Sequence, residues 1–426
     1  MNVLLLGSGG REHAMAYSIS QSRRIGTLYI TPGNPGTAQC GENVKPDLKT
    51  AAEIKAFCLE KNIECIVVGP EVPLINGIYD QVKSDVDTAH IAVIGPSQAG
   101  AMLEGSKDFA KEFMERHNIP TAAYKTFTRE NLYQGFNFID SLRAPYVLKA
   151  DGPAAGKGVL ILDDADDAKR ELAAMVAESK FGDAGSKVVI EQFLKGIECS
   201  YFVVTDGKNY RLLPTAKDYK RIGEGDTGLN TGGMGAISPV PFATEELTAK
   251  VVRRVIEPTI RGLEAENIIY KGFIYFGLMI VGGEPFVIEY NCRMGDPETE
   301  VVFPRIQTDV LDIFEAIENE TLDSFEIKTD PRAACTVVVA SGGYPDHYPT
   351  GFSITGLETV NNSLVFHAGT RKDGNRVLTS GGRVLAVTSF GKTLKEALGK
   401  SYASIDNIAF EGKYFRRDIG FDVDTN

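Results

Sequence analysis

The chain has 426 residues, of which 43% are hydrophobic and 24% charged, and its formal net charge is -12. This length exceeds what one hydrophobic core supports, so we expect two to four domains. The acidic balance argues against a large nucleic-acid-binding surface, which would be basic. "MNVLLLGSGG" lacks a basic leader, and no stretch offers about 18 uninterrupted apolar residues, so we expect a cytoplasmic protein without a signal peptide or membrane span. The six scattered cysteines predict reduced thiols rather than disulfides or zinc ligands.

The first hundred residues alternate apolar runs, "NVLLLG", "LYIT", "ECIVVGP" and "HIAVIGP", with helical stretches. This alternation predicts a parallel sheet covered on both faces. The turn after the first strand, "GSGGREHA", approaches a dinucleotide fingerprint, but Glu12 replaces its third glycine and "TPGNPG" stands where a ribose-binding acid is expected. A nicotinamide cofactor is therefore disfavoured. The N–H groups of Gly9 and Gly10, with Arg11 beside them, could still bind a phosphate, and a turn needed for packing is the alternative.

From residue 104 the pattern changes to one helix, in "EGSKDFAKEFMERHNIP", followed by strand hairpins that predict antiparallel sheets. The stretch "GPAAGKGV" is not a P-loop, because three residues instead of four separate Gly152 from Gly156 and Gly158 takes the place of Ser or Thr. Strands on both sides make it a hairpin tip. Such a tip either covers nucleotide phosphates with backbone N–H groups or is an ordinary turn.

The stretch "VIEYNCRMGDPETE" carries the strongest chemical signal. Strand alternation puts Glu289, Asn291 and Arg293 on one face and the residues between them on the other. A carboxylate and an amide oxygen suit Mg²⁺, and a neighbouring arginine could neutralise a transferring phosphoryl group. Asp296 and Glu298 add acids just past the strand. A structural salt-bridge cluster is the alternative.

Other polar residues could face the same space. Lys149 ends a strand, Lys107 begins a helix, and Glu191 and Glu198 flank the exit of a further strand, although solvated surface charges are the ordinary interpretation. "DTGLNTGGMGAISP" has too little apolar periodicity for a strand or helix, so we expect a loop against a ligand, with a disordered connector as the alternative. From about residue 330, "ACTVVVASGG", "GGRVLAVTS" and a helix from about Leu394 indicate a small α/β unit.

The ordered motifs "GSGGREHA", "PGNPG", "VVGPEVPL", "EGSK", "KADGPAAGKGV", "EQFLKGIE", "NTGGMGA", "NCRMGDPETE", "ASGGYP", "GGRVL" and "YFRRDIG" resemble the glycinamide ribonucleotide synthetase family of the ATP-grasp ligases from end to end. The resemblance implies a multidomain α/β and α+β fold: an amino-terminal parallel α/β domain over 1–103, an ATP-grasp domain over 104–328 with a small lid over about 122–192, and a carboxy-terminal α/β domain over 329–426.

The resemblance also implies roles for individual residues. Arg293 and Lys149 would be catalytic, and Glu289 and Asn291 would bind Mg²⁺, with Mn²⁺ as the alternative metal. ATP would contact Lys107, Lys149, Gly152, Gly156, Lys157, Gly158, Glu191, Phe193, Leu194 and Glu198, with the adenine at 191–194 and the ribose at Glu198. The other substrates would contact Gly9, Gly10, Arg11, Glu71, Asp218 and Asp296.

The implied activity is the ATP-dependent ligation of glycine to 5-phosphoribosylamine through glycyl phosphate, which gives glycinamide ribonucleotide, ADP and phosphate in purine biosynthesis. We expect these small-molecule partners, no nucleic acid or membrane, and a monomer or weak homodimer. The sequence departs from the family pattern at Pro153, Tyr219, Leu229 and Met294. The alternatives are an ATP-grasp ligase for another carboxylate or for bicarbonate, a non-catalytic nucleotide sensor, and an NAD-dependent dehydrogenase.

Overall fold

A computed structural model describes residues 1–152, 158–177 and 186–424. The amino-terminal segment alternates strands and helices, as its apolar runs predict. Its elements are β1 (Val3–Gly7), α1 (Gly10–Ser20), β2 (Leu28–Pro32), β3 (Glu42–Asn43), α2 (Ala51–Lys61), β4 (Cys65–Val68), α3 (Glu71–Ile75), α4 (Ile78–Ser84), β5 (Ala92–Pro96) and α5 (Gln98–Gly105).

The strands of this segment form a parallel sheet, which confirms the prediction. Strand β1 pairs in parallel with β2 and β4, β4 pairs with β5, and β2 pairs with the short β3. Every residue of 65–68 is buried, because helices cover both faces of the sheet. The carboxyl ends of β1 and β4 therefore lie at one edge, where Gly7 ends β1 and Glu71 begins α3 just after β4.

The middle segment is mostly antiparallel, also as predicted. Its elements are α6 (Lys107–Arg116), β6 (Tyr124–Phe127), α7 (Leu132–Ser141), β7 (Tyr146–Ala150), β8 (Val159–Leu162), α8 (Ala165–Ala177), β9 (Val188–Gln192), β10 (Ile197–Thr205), β11 (Tyr210–Leu212), β12 (Lys217–Asp218), β13 (Arg221–Gly223), β14 (Thr227–Asn230), β15 (Gly235–Ser238), α9 (Glu245–Val251), α10 (Glu257–Ala265), β16 (Tyr270–Val281), β17 (Glu284–Asn291), α11 (Thr299–Val302) and α12 (Val310–Glu318). A π-helical turn, Val252–Ile256, joins α9 to α10.

One sheet, the main sheet, joins the first two segments. Its strands run in the order β11-β10-β16-β5-β4-β1-β2-β3, and β17 pairs with β16. The junction is antiparallel, with Tyr270 opposite Pro96 and Lys271 opposite Gly95. The antiparallel strands thus extend the parallel sheet, which fixes β17 relative to the carboxyl edge of β1 and β4.

A second sheet, the lid sheet, lies in the order β6-β9-β7-β8. Strands β7 and β8 form the predicted antiparallel hairpin, whose tip at 153–157 lies outside the described residues. One face packs Leu148 and Ile190 against α7 and α8 in an apolar core. Lys149 and Glu191 project from the opposite face, because side chains alternate along a strand.

The carboxy-terminal segment is a further α/β unit, as predicted. Its elements are β18 (Ala333–Ser341), β19 (Ser353–Ile354), β20 (Leu364–His367), β21 (Thr370–Asp373), β22 (Arg376–Thr379), β23 (Arg383–Gly391), α13 (Leu394–Asn407) and β24 (Lys413–Tyr414). Helix α13 packs on β18 and β23 through a core that includes Val387, Leu398 and Ile405.

The carboxy-terminal sheet includes strands from the middle segment, in the order β12-β15-β18-β23-β20, and β24 pairs with β18. The prediction that 226–239 is an irregular loop is therefore wrong. Strand β15 is fully buried and pairs with β18, Ile237 opposite Cys335, while β14 pairs with β13 at the surface. The local sequence pattern does not indicate β15, because this strand is stabilised by pairing with β18, about a hundred residues later in the chain.

All six cysteines lie within the described residues and are free thiols, as predicted. In the described parts of the chain, no helix is both long and apolar enough to cross a membrane.

Candidate active site

Strand β17 ends at the edge of the main sheet that faces the lid sheet, and its burial pattern alternates. Tyr290 and Cys292 are buried in the core, whereas Glu289 and Asn291 are half-buried on the other face. The register of β17 shifts at Ile288, with Val287 opposite Leu278 and Glu289 opposite Gly277. The irregularity precedes Glu289, so the predicted alternation of Glu289 and Asn291 holds.

Glu289 lies among cations contributed by three different parts of the middle segment. The Nζ of Lys220 lies 3.8 Å from its Oε1. Burial alone would raise the pKa of Glu289, but the positive charges of Lys220, then Lys149 and Lys107, outweigh it and hold that pKa below its ordinary value. An ionised carboxylate is the form that binds a hard cation.

Lys149 bridges the lid sheet and β17. Its Nζ lies 2.9 Å from Glu191 Oε1 and donates a hydrogen bond to the Ile288 carbonyl at 3.2 Å. Glu191 is itself buried between Lys149 and Lys111. Burial tends to raise the pKa of Glu191, but these two lysines lower it overall. Phe193 and Leu194 are half-buried just past β9, where the chain leaves the lid sheet for β10.

Lys107 opens α6 beside the base of the lid hairpin. Its Nζ donates to the carbonyls of Asp151 and Gly152 at 3.3 and 3.4 Å. Burial lowers the pKa of Lys107 even though Glu289 acts in the opposite direction. Gly158 is buried on the other arm, where its carbonyl accepts a hydrogen bond from Ala150. The predicted contacts Gly156 and Lys157 lie outside the described residues.

Lys220 joins two predicted site acids, because its Nζ lies 3.3 Å from Glu198 Oε2 as well as 3.8 Å from Glu289. The pKa of Lys220 is raised well above its ordinary value, chiefly by the Glu198 charge. Asp218 precedes it on the same face and is buried. Burial raises the pKa of Asp218, opposed by the charge of Lys220.

Arg293 follows β17 and contacts two acids rather than Glu289 directly. Its Nη2 lies 2.6 Å from Glu104 Oε1 and its Nε 3.6 Å from Glu71 Oε2. Glu104 also accepts a hydrogen bond from the Cys292 N–H at 2.8 Å. Arg293 is thereby held at the carboxyl edge of the main sheet, where Glu71 begins α3 after β4.

The amino-terminal turn has its own carboxylate. Glu12 accepts hydrogen bonds from the Gly9 N–H and from Arg11 Nε, each at 2.6 Å. Arg11 is buried and also donates to the Met294 carbonyl at 3.3 Å. A phosphate that used the Gly9 N–H would therefore have to displace Glu12. Gly10 packs tightly, since a Cβ there would lie 2.4 Å from Glu300 Oε1.

Asp296 lies at the same end of the site, and an arginine of the carboxy-terminal segment holds it. Arg383 Nη1 lies 3.0 Å from Asp296 Oδ1 and donates to the carbonyls of Asp296 and Gly232 at 2.9 and 2.6 Å. The glycine segment before β15 is thus joined to the acids that follow β17.

Two further acids after β17 are buried. Burial raises the pKa of Glu298 to about 8, and the nearby Asp218 charge adds to the effect. Burial also raises the pKa of Glu300 well above its ordinary value, with Asp296 as the next contribution. Burial therefore favours the protonated form of both acids at this end of the site.

Tyr219, at a position where the resemblance implies histidine, faces away from the site. Its hydroxyl donates to Asp422 Oδ1 at 2.9 Å, and Lys217 Nζ lies 4.1 Å from its ring centroid. Lys217 and Tyr219 thus point into the carboxy-terminal core, while Asp218 and Lys220 point towards Glu198. This departure changes the packing under the site rather than its polar lining.

The structure therefore brings most of the predicted residues into one cleft between the lid sheet, β17 and the carboxyl edge of β1 and β4. The residues that sequence reasoning missed are Glu104, Lys111, Lys220 and Arg383. Lys220 could have been found from alternation in "KDYK", since Asp218 was already a candidate. Arg383 lies in "GGRVL", a quoted motif, but its partner Asp296 is far away in sequence.

Comparison with known proteins covers most of the chain. Three family models match in order: the phosphoribosylglycinamide synthetase N domain at residues 1–104, the ATP-grasp (A) domain at 105–299 and the C domain at 334–422. The chain belongs to the phosphoribosylglycinamide synthetase family. The predicted resemblance and fold class are both confirmed.

Relatives of this synthetase family cover the chain nearly completely. The phosphoribosylamine–glycine ligase of Vibrio cholerae is 46% identical over 426 residues, covering 99% of this chain and 98% of the relative. The crystal structure of the Thermotoga maritima phosphoribosylamine–glycine ligase matches with a TM-score of 0.85 and 35% identity, covering 98% of this chain and 100% of that one. A Hydrogenobacter thermophilus biotin carboxylase domain, in complex with MgADP, ADP and bicarbonate, matches with a TM-score of 0.72 at 15% identity, covering 97% and 91%, and shares the fold.

Proposed function

We propose that the protein ligates glycine to 5-phosphoribosylamine at the expense of ATP. The observation that carries the proposal is the end-to-end family match of a chain that retains Lys149, Glu289 and Arg293 in one cleft. A nucleotide sensor could bind ATP without the acid and arginine at the end of β17. Their retention favours a phosphoryl-transfer enzyme.

The nucleotide would lie between the lid sheet and β17. Lys107 and Lys149 would contact its phosphates, since both ammonium groups lie close enough to Glu289 to lower its pKa. The backbone at Glu191, Phe193 and Leu194 would contact adenine, and Glu198 on β10 would accept the ribose hydroxyls. Gly152, Gly156, Lys157 and Gly158 keep their predicted role on the phosphates.

The residues at the end of β17 suit a magnesium ion that arrives with the nucleotide. Glu289 offers an ionised carboxylate and Asn291 an amide oxygen, which are hard donors. Across the described residues, no group of three or more His, Cys, Asp or Glu side chains could hold a metal. Mg²⁺ is usually bound by one or two protein ligands, and phosphate oxygens and water complete its coordination. Mn²⁺ is the alternative metal. When bound, the metal would neutralise charge on the phosphates.

The chemistry requires activation of a carboxylate that has no adequate leaving group. The glycine carboxylate would attack the γ-phosphorus of ATP, which forms glycyl phosphate and releases ADP. The phosphoribosylamine nitrogen would then attack the acyl carbon, so that an amide forms, phosphate leaves and the nitrogen loses a proton. Arg293 would neutralise charge on the transferring phosphoryl group. Enclosing the acyl phosphate between the lid sheet and β17 would exclude the water that hydrolyses it.

The amine and ribose phosphate would lie at the carboxyl edge of the parallel sheet. Glu71, Asp218 and Asp296 would hold the amino groups and hydroxyls of these substrates. Gly9, Gly10 and Arg11 would border the ribose phosphate, with Arg11 as the cation. This placement agrees with the general location of ligands in open α/β sheets, outside the carboxyl ends of the strands.

Product analysis tests the proposal. The purified protein, supplied with ATP, Mg²⁺ and freshly formed phosphoribosylamine, should produce glycinamide ribonucleotide and ADP with glycine but not with formate or bicarbonate. Amide formation with another carboxylate alone would assign a different ATP-grasp ligase. ATP binding without turnover of any of the three acids would indicate a nucleotide sensor.

A further inference from the structure

Lys111 is a buried charge to which the proposed chemistry gives no role. It lies one helical turn after Lys107 on α6 and is 2% exposed. Its Nζ lies 3.1 Å from Glu191 Oε2 and donates a hydrogen bond to Thr121 Oγ1 at 2.7 Å. Burying an ammonium group costs several kcal/mol of solvation, so its partners must compensate.

The partners of Lys111 belong to a chain of contacts that begins and ends on β17. Thr121 Oγ1 donates to the Val287 carbonyl at 2.7 Å. Beyond Lys111, Glu191 contacts Lys149 through its other oxygen, and Lys149 donates to the Ile288 carbonyl. The two acceptors on β17 are adjacent residues, and the next residue is Glu289.

This chain of contacts links the lid sheet to the main sheet beside the predicted nucleotide site. Glu191 holds one lysine with each carboxylate oxygen, so its orientation depends on both. Without Lys111, the Glu191 side chain could rotate about its χ angles while still contacting Lys149. Lys149 would then no longer be fixed relative to the end of β17.

Stability alone does not account for the arrangement. Apolar residues of similar volume often stabilise a protein as well as a buried ion pair does, or better. Buried ionic groups are, however, retained in some proteins because they fix one conformation, and Glu191 contacts a different lysine through each of its carboxylate oxygens. The contacts of Lys111 therefore fit a role in geometry.

We propose that Lys111 is a positioning residue for ATP, acting through Glu191 to hold the Lys149 ammonium and the strand exit after Glu191 in their nucleotide-binding arrangement. The inference rests on the proposed function, because it presumes that ATP lies between the lid sheet and β17. Lys111 itself need not contact any substrate.

The test compares Lys111→Met with Lys125→Met, a matched control on the neighbouring strand β6, where the lysine is exposed. Lys111→Met should raise the KM for ATP, and the Kd for a non-hydrolysable ATP analogue, by about 10- to 100-fold. The KM for glycine should change by less than about twofold, and Lys125→Met should behave as wild type. An unchanged KM for ATP in folded Lys111→Met would overturn the inference.

A double-mutant cycle with Glu191→Gln separates positioning from a general loss of packing. If Lys111 acts through Glu191, the double variant should bind the ATP analogue no more weakly than Glu191→Gln alone. Multiplicative losses would mean that Lys111 acts independently and would contradict the proposal. If Lys111→Met does not fold, Lys111→Gln keeps a donor for Thr121 without the charge and enters the same cycle.

Failure of the proposed function would look different from failure of this inference. A wild-type protein that binds no ATP analogue and forms no amide would refute the proposed ligase. A wild-type ligase with normal kinetics in Lys111→Met and Lys111→Gln would leave the ligase standing and remove the role of Lys111.

Discussion

Replacing Glu289 by glutamine asks whether this carboxylate is a metal ligand or part of a structural ion-pair cluster. The substitution keeps the size of the side chain and removes its charge. The Glu289 side chain is 40% exposed, and its Oε1 lies 3.8 Å from the Nζ of Lys220. An ion pair with this exposure and separation contributes less than about 1 kcal/mol. The midpoint of thermal unfolding should therefore shift by no more than about 4 °C.

The effect on activity should be far larger than the effect on stability. Glu289 is the charged member of the two proposed metal ligands. Its replacement by glutamine should weaken metal binding and leave negative charge on the phosphates uncompensated during phosphoryl transfer. Loss of one electrostatic contact to a transition state typically costs about 100- to 1,000-fold in rate. We expect a decrease of this size in kcat/KM at low Mg²⁺, together with a higher half-saturating Mg²⁺ concentration.

Glu284→Gln provides the matched control on the same strand. Glu284 is also 40% exposed and pairs with Lys250 at 3.2 Å and with Arg254. Steady-state kinetics across a Mg²⁺ titration and thermal unfolding without nucleotide would be measured for both variants. Glu284→Gln should show a similar small change in stability and wild-type kinetics. If Glu289→Gln kept its Mg²⁺ dependence and lost activity only in proportion to stability, the cluster would be structural and the metal assignment wrong.

Three further predictions concern His13 with His367, Arg383, and Tyr219, which lie in the segments around the site. Burial, with the charge of His367 as a smaller cause, lowers the pKa of His13 to about 3, and burial lowers that of His367 to about 4. Because both pKa values fall below the unfolded value of about 6.5, the stability that the two histidines contribute is complete above pH 6.5 and is lost as the pH falls towards 4. The loss is about 2 kcal/mol per histidine at pH 5. The free energy of unfolding of His367→Gln, measured in urea, should therefore depend less steeply on pH between 7 and 5 than that of the wild type, and an equal pH dependence would contradict this. Arg383→Met should raise the KM for phosphoribosylamine about 10-fold or more, because it releases Asp296. The control is Arg376→Met, which replaces an exposed arginine that pairs with Asp373. Equal kinetics in the two variants would remove Arg383 from the site. Tyr219→Phe should cost about 1 kcal/mol of unfolding free energy through the lost bond to Asp422 while kcat/KM stays within about twofold, and a large kinetic defect would mean that the ring acts on substrate.

Periodicity predicted the elements whose stability is local. The buried runs of β1, β2, β4 and β5 are continuous because helices cover both faces of their sheet, and the hairpins of β7 with β8 and β16 with β17 carry turn residues between alternating strands. The same alternation correctly placed Tyr290 and Cys292 on the face opposite Glu289, and the structure shows that this face is buried in the core. Helices α7 to α12 were not predicted, since one helix followed by strand hairpins was expected from residue 104. The apolar residues of α7 and α8, such as Ile139 and Leu172, are buried only because these helices pack under the lid sheet.

Elements that depend on distant partners escaped prediction. Strand β15 has only four residues and follows a glycine-rich stretch, and it becomes a buried strand because β12 and β18 pair with its two edges. In the sequence, nothing distinguishes Lys220 from the other lysines. Its partners Glu198 and Glu289 lie on strands of the main sheet and become neighbours only in the folded chain. The role of such residues depends on which distant residues they contact, and the local sequence does not reveal those contacts.

The acids after β17 show how partners from all three segments determine the chemistry of one short stretch. Asp296 is held by Arg383 from β23, its backbone lies against the glycine segment before β15, and Arg11 from α1 adds positive charge nearby. Glu298, two residues later, is buried, and this burial together with the Asp218 charge raises its pKa to about 8 even though Lys220 and Arg293 oppose the shift. Two carboxylates of similar sequence context therefore lie in different electrostatic surroundings: Asp296 pairs with Arg383, whereas Glu298 is buried near Asp218. The amino-terminal and carboxy-terminal segments thus act on this end of the site directly, because Arg11 and Arg383 place positive charge beside Asp296.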